Sequence, residues 1–386
     1  MSTGLACVHP PLKGEGRTAE GSPGWGDGGA TSDTNAEFAA RLAPPPGPLA
    51  RADLPPPGGG GLAGNGEERR GPLLPAGRIC PLDYLYDPAV FAQRADFSAD
   101  ILYVVGGLYG NLAAAQAIEK LAGAERGNVT IVYNGDFHWF DAEDGWFDAV
   151  ERAVAPHRAL RGNVETEIVR AADVGAGCGC AYPSAVADDV VARSNGILSA
   201  LRRIATLAPS ARTRLAGLPM HLVADIAGVR VGIVHGDATS LAGWGFTHEG
   251  LAATSPAMLA DLRARSRIDV FASTHTCNAL LRDIALPNGC LTVINNGAAG
   301  MPNFAGMRYG LFSRIATTPS PHRPVYGLRR GSVYIDAVAI RYDHGQFLDR
   351  FLDRWPVGTL AHLSYARRIL EGPAYTIAQA LGSPPE

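Results

Sequence analysis

The sequence predicts an α/β protein in which layered β-sheets are flanked by helices. From residue 101 onward, short apolar runs that end in glycine alternate with segments of helical periodicity. Hydrophobic residues make up 46% of the chain and charged residues 18%, which is enough to build a sizeable core. The strand–helix–strand–helix–strand order predicts right-handed βαβ units and a mainly parallel sheet.

The N-terminal segment has a different composition from the rest of the chain. Residues 1–77 contain 17 glycines and 12 prolines, and runs such as PPPGGGG cannot bury apolar surface. We therefore predict a disordered tail over residues 1–77. A short extended or helical lead-in is expected over residues 79–94.

The first βαβ units follow directly. The run ILYVV at Ile101–Val105 is typical of a buried parallel strand, and residues 112–122 place an apolar stripe on one helix face. Val129–Asn134 predicts a second buried strand, residues 147–154 a helix, and residues 159–162 a short third strand. Each strand is followed by glycine or asparagine, so a loop is expected at every carboxyl end.

The second half mixes helices and strands in one continuous domain over residues 78–343. Residues 184–217 show helical spacing and are expected to form a helical insertion. The turn Ala227-Gly228 between two β-rich runs predicts a hairpin. Further strands are expected at residues 268–273, 290–295 and 334–342, and a C-terminal helical extension over 344–386 has helices at 346–355 and 364–370.

Composition excludes several classes of function. Lys and Arg number 34 against 37 Asp and Glu, a net charge of −3, so no basic excess is available for nucleic-acid binding. No apolar run approaches the roughly 18 residues of a membrane span, and the first residues lack a signal-like apolar stretch. Six cysteines do not make a disulfide framework, so a cytoplasmic location is expected, and Cys178-Gly-Cys180 is interpreted as two buried or loop thiols.

Chemically useful side chains follow several predicted strands. In open α/β sheets ligands bind beyond the carboxyl ends of the strands. An isolated Asp there is usually a turn residue, and an isolated His is usually a satisfied core residue. Together they form a mixed nitrogen and oxygen donor set suited to Mn, Fe or Zn. The four residues of this set are Asp136, Asn163, His235 and His275.

The order of these motifs resembles the calcineurin-like metallophosphoesterases. The motifs that carry the resemblance are Gly135-Asp136, Gly162-Asn163-Val164-Glu165 and His235-Gly236-Asp237. The stretch RGNVETEI at residues 161–168 is similar to the small bacterial phosphodiesterase branch. The resemblance covers residues 101–342, and it implies the calcineurin-like fold and hydrolysis of a phosphomonoester or phosphodiester by metal-activated water.

The resemblance also implies which metal site is kept. Asp136, Asn163, His235 and His275 match the ligands of one metal ion of the family. The private ligands of the other ion are replaced by Gly107, Tyr109 and Cys277. Two interpretations stay open: Tyr109 and Cys277 are replacement ligands for a second ion, or they fill the volume of the lost ligands.

The remaining catalytic roles are expectations from the same resemblance. Asp136 and His235 would act at the metal, and Arg161 would help to neutralise the phosphate of a small phosphorylated substrate. Many relatives have a proton-donating His where this chain has Val164, so His138 or Asp237 is considered for that role. Glu165 is expected to support the Asn163 turn or a ligand histidine. The alternative is a catalytically inactive protein that binds a metal or a phosphate ligand.

Overall fold

The computed structural model describes residues 75–172 and 174–383, so residues 1–74 of the predicted tail lie outside the described residues. The described strands are β1 (Phe97–Ser98), β2 (Ile101–Val105), β3 (Val129–Asn134), β4 (Arg158–Leu160), β5 (His221–Ile226), β6 (Val229–Val234), β7 (Val270–Ser273), β8 (Ala279–Leu286), β9 (Gly289–Asn296), β10 (Gly310–Ala316), β11 (Tyr326–Arg330) and β12 (Val333–Ile340). The described α-helices are α1 (Leu112–Gly123), α2 (Trp146–Val154), α3 (Asn163–Val169), α4 (Asp188–Ala205), α5 (Pro209–Ala216), α6 (His248–Ala253), α7 (Pro256–Ser266), α8 (His344–Arg354), α9 (Leu360–Glu371) and α10 (Ile377–Ala380).

The strands form two six-stranded mixed sheets. The first has the order β11-β12-β10-β2-β3-β4, and the second has the order β1-β5-β6-β7-β9-β8. β2, β3 and β4 run parallel at one side of the first sheet, and β6, β7 and β9 run parallel in the middle of the second. The parallel strands carry the polar residues singled out from the sequence.

The two sheets pack face to face, and helices cover their outer faces. Leu102 and Val104 of β2 pack with Ile233 of β6 in the core between the sheets. Tyr103 and Val105, which alternate with them along β2, pack on the helix side of the same sheet. Every residue of β2 is therefore buried, which explains why this strand is a continuous apolar run.

The expectation of a mainly parallel sheet is wrong, because half of the ten pairings between named strands are antiparallel. β5–β6, β8–β9 and β11–β12 are joined by connections of two residues, and so short a connection can only join antiparallel strands. β10 also returns antiparallel beside β2. The hairpin predicted around Ala227-Gly228 is confirmed.

The helices agree with the sequence pattern in most places. The segment 184–217 contains α4 and α5, and the lead-in contains two short 3₁₀ turns, at Leu82–Tyr84 and Pro88–Ala92. The helix α3, which begins directly at Asn163, was not expected from the pattern. Among the described residues, no helix combines the length and apolarity needed to span a membrane.

Candidate metal centre

The carboxyl ends of four strands meet at one rim of the two sheets. Asp136 follows β3, and Asn163 is the first residue of the helix after β4. His235 follows β6 directly, and His275 lies two residues beyond β7. The structure therefore brings together all four residues that the sequence placed after strands.

The candidate ligand atoms of this set lie close to one another. One ligand atom each of Asp136, His235 and His275 lies within 4.8 Å of the others, and all three residues are buried. His235 Nε2 is 3.4 Å from Asp136 Oδ1 and 3.1 Å from Asn163 Oδ1. It is also 3.1 Å from His275 Nδ1. One carboxylate, one amide oxygen and two imidazole nitrogens thus surround the same small volume.

Hydrogen bonds on the far side of each ring determine which nitrogen faces the cluster with a lone pair. His235 Nδ1 lies 2.9 Å from the carbonyl oxygen of Asn134, and His275 Nε2 lies 3.1 Å from that of Cys180. A carbonyl can only accept, so these ring nitrogens carry the protons of the neutral rings. His235 Nε2 and His275 Nδ1 then face each other with lone pairs, an arrangement that a shared cation stabilises.

The amide of Asn163 is oriented in the same way. Its Nδ2 donates to the carbonyl oxygen of Cys178 at 2.9 Å, which leaves Oδ1 facing His235. Asn163, His235 and His275 therefore all present acceptor atoms to Asp136. The donor set fits a divalent ion such as Mn, Fe or Zn.

The ionisable groups of the cluster shift one another's pKa values. Burial raises the pKa of Asp136, but the His235 ring outweighs burial and holds that pKa below its usual range. Burial lowers the pKa of His235, and the Asp136 carboxylate outweighs it and raises the pKa. Burial and the neighbouring His235 together lower the pKa of His275 to about 3. The cluster is thus an ionised carboxylate with imidazoles that do not both accept a proton.

Glu165 holds the loop that carries Asp136. Its Oε2 accepts from the backbone N–H groups of Asp136 at 2.8 Å and Gly162 at 2.9 Å. Its Oε1 accepts from the backbone N–H groups of Phe137 and His138 at 3.1 and 3.3 Å. Asp136 has a φ of 50°, in the left-handed region that most residues avoid, so this loop needs such support. Glu165 supports the metal centre through the Asp136 loop, not through a ligand histidine.

Two glycines permit the close approach of the strand ends. A Cβ atom on Gly162 would lie 2.3 Å from Asp136 Oδ1. A Cβ atom on Gly135, whose φ is +76°, would lie 2.5 Å from the backbone nitrogen of Gly162 and 2.6 Å from His235 Nδ1. The cluster therefore exists in this form only because neither position carries a side chain.

Tyr109 and Cys277 form a direct contact next to the cluster. A Cβ atom on Gly107 would lie 2.8 Å from the Tyr109 ring, so this ring occupies the space in front of Gly107. The Tyr109 hydroxyl is 2.7 Å from Cys277 Sγ. Burial raises the pKa of both the phenol and the thiol, which keeps both groups protonated.

His138 is not brought to the cluster. Its Nδ1 pairs with Asp141 at 2.5 Å and its Nε2 with Glu151 at 2.8 Å, so both ring nitrogens are engaged. The ring stacks on Phe147 with centroids 4.1 Å apart. Burial alone would lower the pKa of His138, but the two carboxylates raise it to about 10. The side chain stabilises the connection between β3 and α2.

Arg161 and Asp237 also lie outside the cluster. Asp237 Oδ1 accepts from the backbone N–H groups of Thr239 and Ser240 at 2.8 and 3.0 Å, and so it shapes its own loop. The backbone N–H of Arg161 donates to the carbonyl oxygen of Pro219 at 2.9 Å. Of the described residues, neither Arg161 nor Asp237 lines the cavity that contains Asp136.

That cavity opens over the cluster and has a volume of about 190 Å³. Asp136, Asn163 and His275 contribute to its lining. Its other lining residues are Tyr109, Trp139, Val164, Cys180, Tyr182, Trp244, Thr276, Cys277, Tyr365 and Arg368. Sequence reasoning missed Tyr182, Trp244, Tyr365 and Arg368 because they follow no strand and belong to no motif.

The Cys178-Gly-Cys180 loop contributes through its backbone. Both thiols are buried, as the sequence predicts, and neither is disulfide-bonded. The carbonyl oxygens of Cys178 and Cys180 accept from Asn163 and His275 respectively. This loop therefore orients two of the four candidate ligands.

Comparisons with known proteins show a likeness of structure alone. No family model matches the chain, and no curated protein matches its sequence. A hypothetical protein, PH1004, from Pyrococcus horikoshii OT3 is similar in structure with a TM-score of 0.49 at 17% identity, covering 71% of this chain and 99% of that protein. A metallophosphoesterase from Sphaerobacter thermophilus has a TM-score of 0.44 at 15% identity, covering 71% of this chain and 100% of that one.

Vps29 from Entamoeba histolytica, crystallised with zinc, is similar over 62% of this chain and 99% of its own length, with a TM-score of 0.28 at 12% identity. The observed architecture of two sheets flanked by helices agrees with the fold class that the sequence predicts. What the site does chemically depends on the side chains of this chain.

Proposed function

We propose that this protein is a metal-dependent phosphoesterase that holds one divalent ion between Asp136, Asn163, His235 and His275. The observation that carries the proposal is the pair of facing lone pairs on His235 Nε2 and His275 Nδ1, 3.1 Å apart beside the Asp136 carboxylate. When both rings are neutral, no proton lies between these two nitrogens, and their lone pairs are available to a cation. Mn, Fe and Zn are the ions that this donor set suits best.

Such an ion would act as a Lewis acid, which polarises a phosphoryl oxygen and lowers the pKa of a bound water to about 7. The residues of this chain orient the ligands and limit the access of water. Asn134 and Cys180 carbonyls fix the ring orientations of His235 and His275, and Glu165 fixes the Asp136 loop. Aromatic side chains around the opening limit the access of bulk water, which strengthens electrostatic interactions inside.

A single ion is proposed because the other half of the site is closed by its own contacts. Gly107 offers no ligand atom, and the Tyr109 ring fills the space in front of it. The Tyr109 hydroxyl is engaged with Cys277 at 2.7 Å. The space-filling interpretation of Tyr109 and Cys277 is therefore the one we adopt.

The substrate is proposed to be a small phosphorylated molecule. The cavity of about 190 Å³ is smaller than the roughly 300 Å³ from which typical ligand pockets begin. It has room for a phosphoryl group and a compact alcohol. Trp244 and Tyr365 on its walls provide flat apolar surface for that alcohol.

The second candidate function is binding of a metal or a phosphate ligand without turnover. It is favoured by the engagement of both ring nitrogens of His138 and by the apolar Val164 at the place of a proton donor. A catalytic cycle then lacks an imidazole acid for the leaving alcohol. Hydrolysis of esters with good leaving groups does not need that acid.

The experiment combines metal analysis with hydrolysis. Protein purified without chelator is expected to contain about one Mn, Fe or Zn ion per chain and to hydrolyse para-nitrophenyl phosphate or its bis-ester. Asp136→Asn and His275→Ala should lose both properties, whereas Cys178→Ser and His157→Ala, outside the ligand set, should keep both. His157 is a partly buried residue that pairs with Glu119 and is not a member of the ligand set.

Metal bound at this site without hydrolysis of either ester would favour the binding function. Samples that never contain metal, even after incubation with Mn, Fe or Zn salts, would exclude the metal centre itself.

A further inference from the structure

We propose that Arg368 forms a phosphoryl-binding subsite beside the metal centre and supplies the positive charge that a second ion would otherwise bring. This inference rests on the proposed function and names the residue that recognises its substrate. Arg368 lies in the last turn of α9 and lines the same cavity as Asp136, Asn163 and His275. Of the residues that line this cavity, it is the one guanidinium.

Two backbone carbonyls hold the guanidinium in place. Arg368 Nη2 donates to the carbonyl oxygen of Cys277 at 2.9 Å, and Nε donates to that of Pro302 at 3.2 Å. Nη1 has no hydrogen-bond partner among the described residues. The group is thus oriented by the protein but keeps donor capacity towards the cavity, which is what an anion site requires.

Arg368 also lacks a carboxylate partner, whereas several other arginines with limited exposure have one. Arg170, Arg214 and Arg314 each pair with at least one Glu or Asp within 3.0 Å. No Asp or Glu oxygen lies within 4.0 Å of Arg368 in the part of the chain that the structure describes. Its charge is balanced only by Cys277 and Pro302 carbonyl dipoles, so a bound anion would gain from it.

The position of Arg368 connects it to the altered half of the site. Tyr109 fills the space before Gly107 and contacts the thiol of Cys277, and the carbonyl of that same Cys277 holds Arg368. Replacement of the metal ligands and placement of the guanidinium are therefore parts of one continuous set of contacts. A guanidinium binds two phosphoryl oxygens in parallel, so it can take over charge neutralisation from an ion.

Charge matching supports a phosphoryl dianion as the occupant. Asp136 is the acidic residue among those that line the cavity. Once its carboxylate is committed to a divalent ion, the ion retains one net positive charge, and Arg368 adds another. Two positive charges match the two negative charges of a phosphomonoester or of inorganic phosphate.

The test measures binding of inorganic phosphate to metal-loaded protein by calorimetry. Arg368→Gln should weaken phosphate binding about 10- to 100-fold, the range expected for the loss of charge-assisted hydrogen bonds. Metal content should stay that of the wild type. Arg368→Lys keeps the positive charge but loses the paired N–H donors of the guanidinium. Its phosphate affinity should lie between that of the wild type and that of Arg368→Gln.

The matched control is Arg367→Gln, one residue earlier on α9. Arg367 is exposed and pairs with Glu371 at 3.1 Å, so its loss should change neither phosphate affinity nor metal content. Thermal unfolding of all variants shows whether Arg368 acts in phosphate binding or only holds α9 in place. If Arg368→Gln does not fold, the Arg368→Lys protein provides the test. A phosphate affinity of Arg368→Lys equal to that of the wild type would overturn the proposal.

The outcomes separate this inference from the proposed function. Unchanged phosphate affinity in a folded, metal-loaded Arg368→Gln protein overturns the subsite, even if the wild type hydrolyses phosphate esters. Phosphate binding that depends on Arg368 in a protein that hydrolyses neither ester supports the subsite and overturns the enzymatic function. Equal losses of unfolding temperature and metal content in the Gln and Lys variants would assign Arg368 a purely structural role and also overturn it.

Discussion

Side-chain orientation at single residues determines whether the four residues at the strand ends can bind an ion. Asn163, His235 and His275 each direct a donor N–H to a backbone carbonyl, and each therefore shows a lone pair to Asp136. A buried histidine with both nitrogens engaged by carboxylates, such as His138, cannot do the same. The same residue type thus acts as a candidate ligand or as a structural ion-pair partner according to its neighbours.

Glu165→Gln is predicted to weaken both the fold and the metal centre. The glutamine amide would place N–H groups against two of the four backbone N–H donors that the carboxylate accepts. We expect a loss of about 2–3 kcal/mol in the free energy of unfolding and a 10- to 100-fold weaker metal affinity, roughly the costs of unpaired buried donors and of a lost supporting partner. Denaturant unfolding and metal titration measure the two effects.

The control for this prediction is Glu119→Gln on α1, where the carboxylate is half exposed and pairs with His157. It should change stability by no more than about 0.5 kcal/mol. Equal effects of the two substitutions would show that Glu165 does not hold the Asp136 loop.

At the scale of the elements, the closed half of the site is a contact between the ends of β2 and β7. Tyr109 follows β2 with a φ of 54°, and Cys277 follows β7 with a φ of 57°. Both residues are in the left-handed region, so these two turns are strained and are held by their mutual contact and by backbone bonds. The contact links the two sheets next to the metal centre.

Tyr109→Phe and Cys277→Ala are predicted to leave the metal content at about one ion per chain. If these side chains fill space, Cys277→Ala should cost on the order of 1 kcal/mol of stability, because only packing and one weak hydrogen bond are lost. The measurements are elemental analysis and thermal unfolding of both variants beside the wild type. Two ions in the wild type that fall to one in Cys277→Ala would show instead that the thiolate is a ligand.

A second prediction at this scale concerns the buried charges between β10, β12 and the end of α1. Arg314 on β10 pairs with Glu125 at 2.6 Å and with Asp336 on β12 at 3.6 Å, so two carboxylates share one guanidinium. Burial raises the pKa of Asp336 to about 6, which Arg314 only partly offsets. The ordinary value in an unfolded chain is about 3.9.

The raised pKa gives a definite pH dependence. The folded state binds the proton of Asp336 more tightly than the unfolded state does. Protonation of Asp336 therefore adds to the free energy of unfolding. This contribution is complete below a pH of about 4 and is lost as the pH rises through about 6. Asp336→Asn, which cannot ionise, should therefore be more stable relative to the wild type at pH 8 than at pH 4, by up to about 3 kcal/mol. Urea unfolding at both pH values tests this, with the exposed Asp349→Asn on α8 as control; a difference that does not change with pH would contradict it.

At the scale of the whole molecule, the proposed metal centre depends on segments far apart in the sequence. The ligands follow strands of both sheets, Cys180 lies in the loop between α3 and α4, and α9 near the C-terminus brings Arg368 and Tyr365. The first described residues also take part, since Gly77 exchanges backbone hydrogen bonds with Ala176 and Tyr182. Arg78 pairs with Asp188 at the start of α4.

A chain that begins at Pro75 is predicted to be as stable as the full chain, because residues 1–74 have a composition that cannot form a core. A chain that begins at Ile79 should lose about 1–3 kcal/mol, since it lacks the Gly77 hydrogen bonds and the Arg78 contacts. Limited proteolysis and thermal unfolding compare the three chains. A protease-resistant fragment from residues 1–74, or equal stability of the two shortened chains, would contradict the prediction.

The sequence by itself determined the α/β class, the long buried strands and the four candidate ligands. These features are local, because a strand buried on both faces needs a continuous apolar run, and residues after parallel strands must meet at one sheet edge. β2 and β3 agree with their predicted bounds residue for residue. The same reasoning overestimated His138, since a position two residues beyond Asp136 does not determine which way the ring points.

Only the tertiary structure decided how the strands pair and how the site is completed. β10 pairs antiparallel with β2, and this pairing depends on contacts between segments that lie far apart in the sequence. The tautomers of His235 and His275 depend on the backbone carbonyls of Asn134 and Cys180. The orientation of the Arg368 guanidinium depends on the carbonyl of Cys277, 91 residues away in the sequence. A backbone carbonyl leaves no mark in the sequence, so its partner can be found only once the chain is folded.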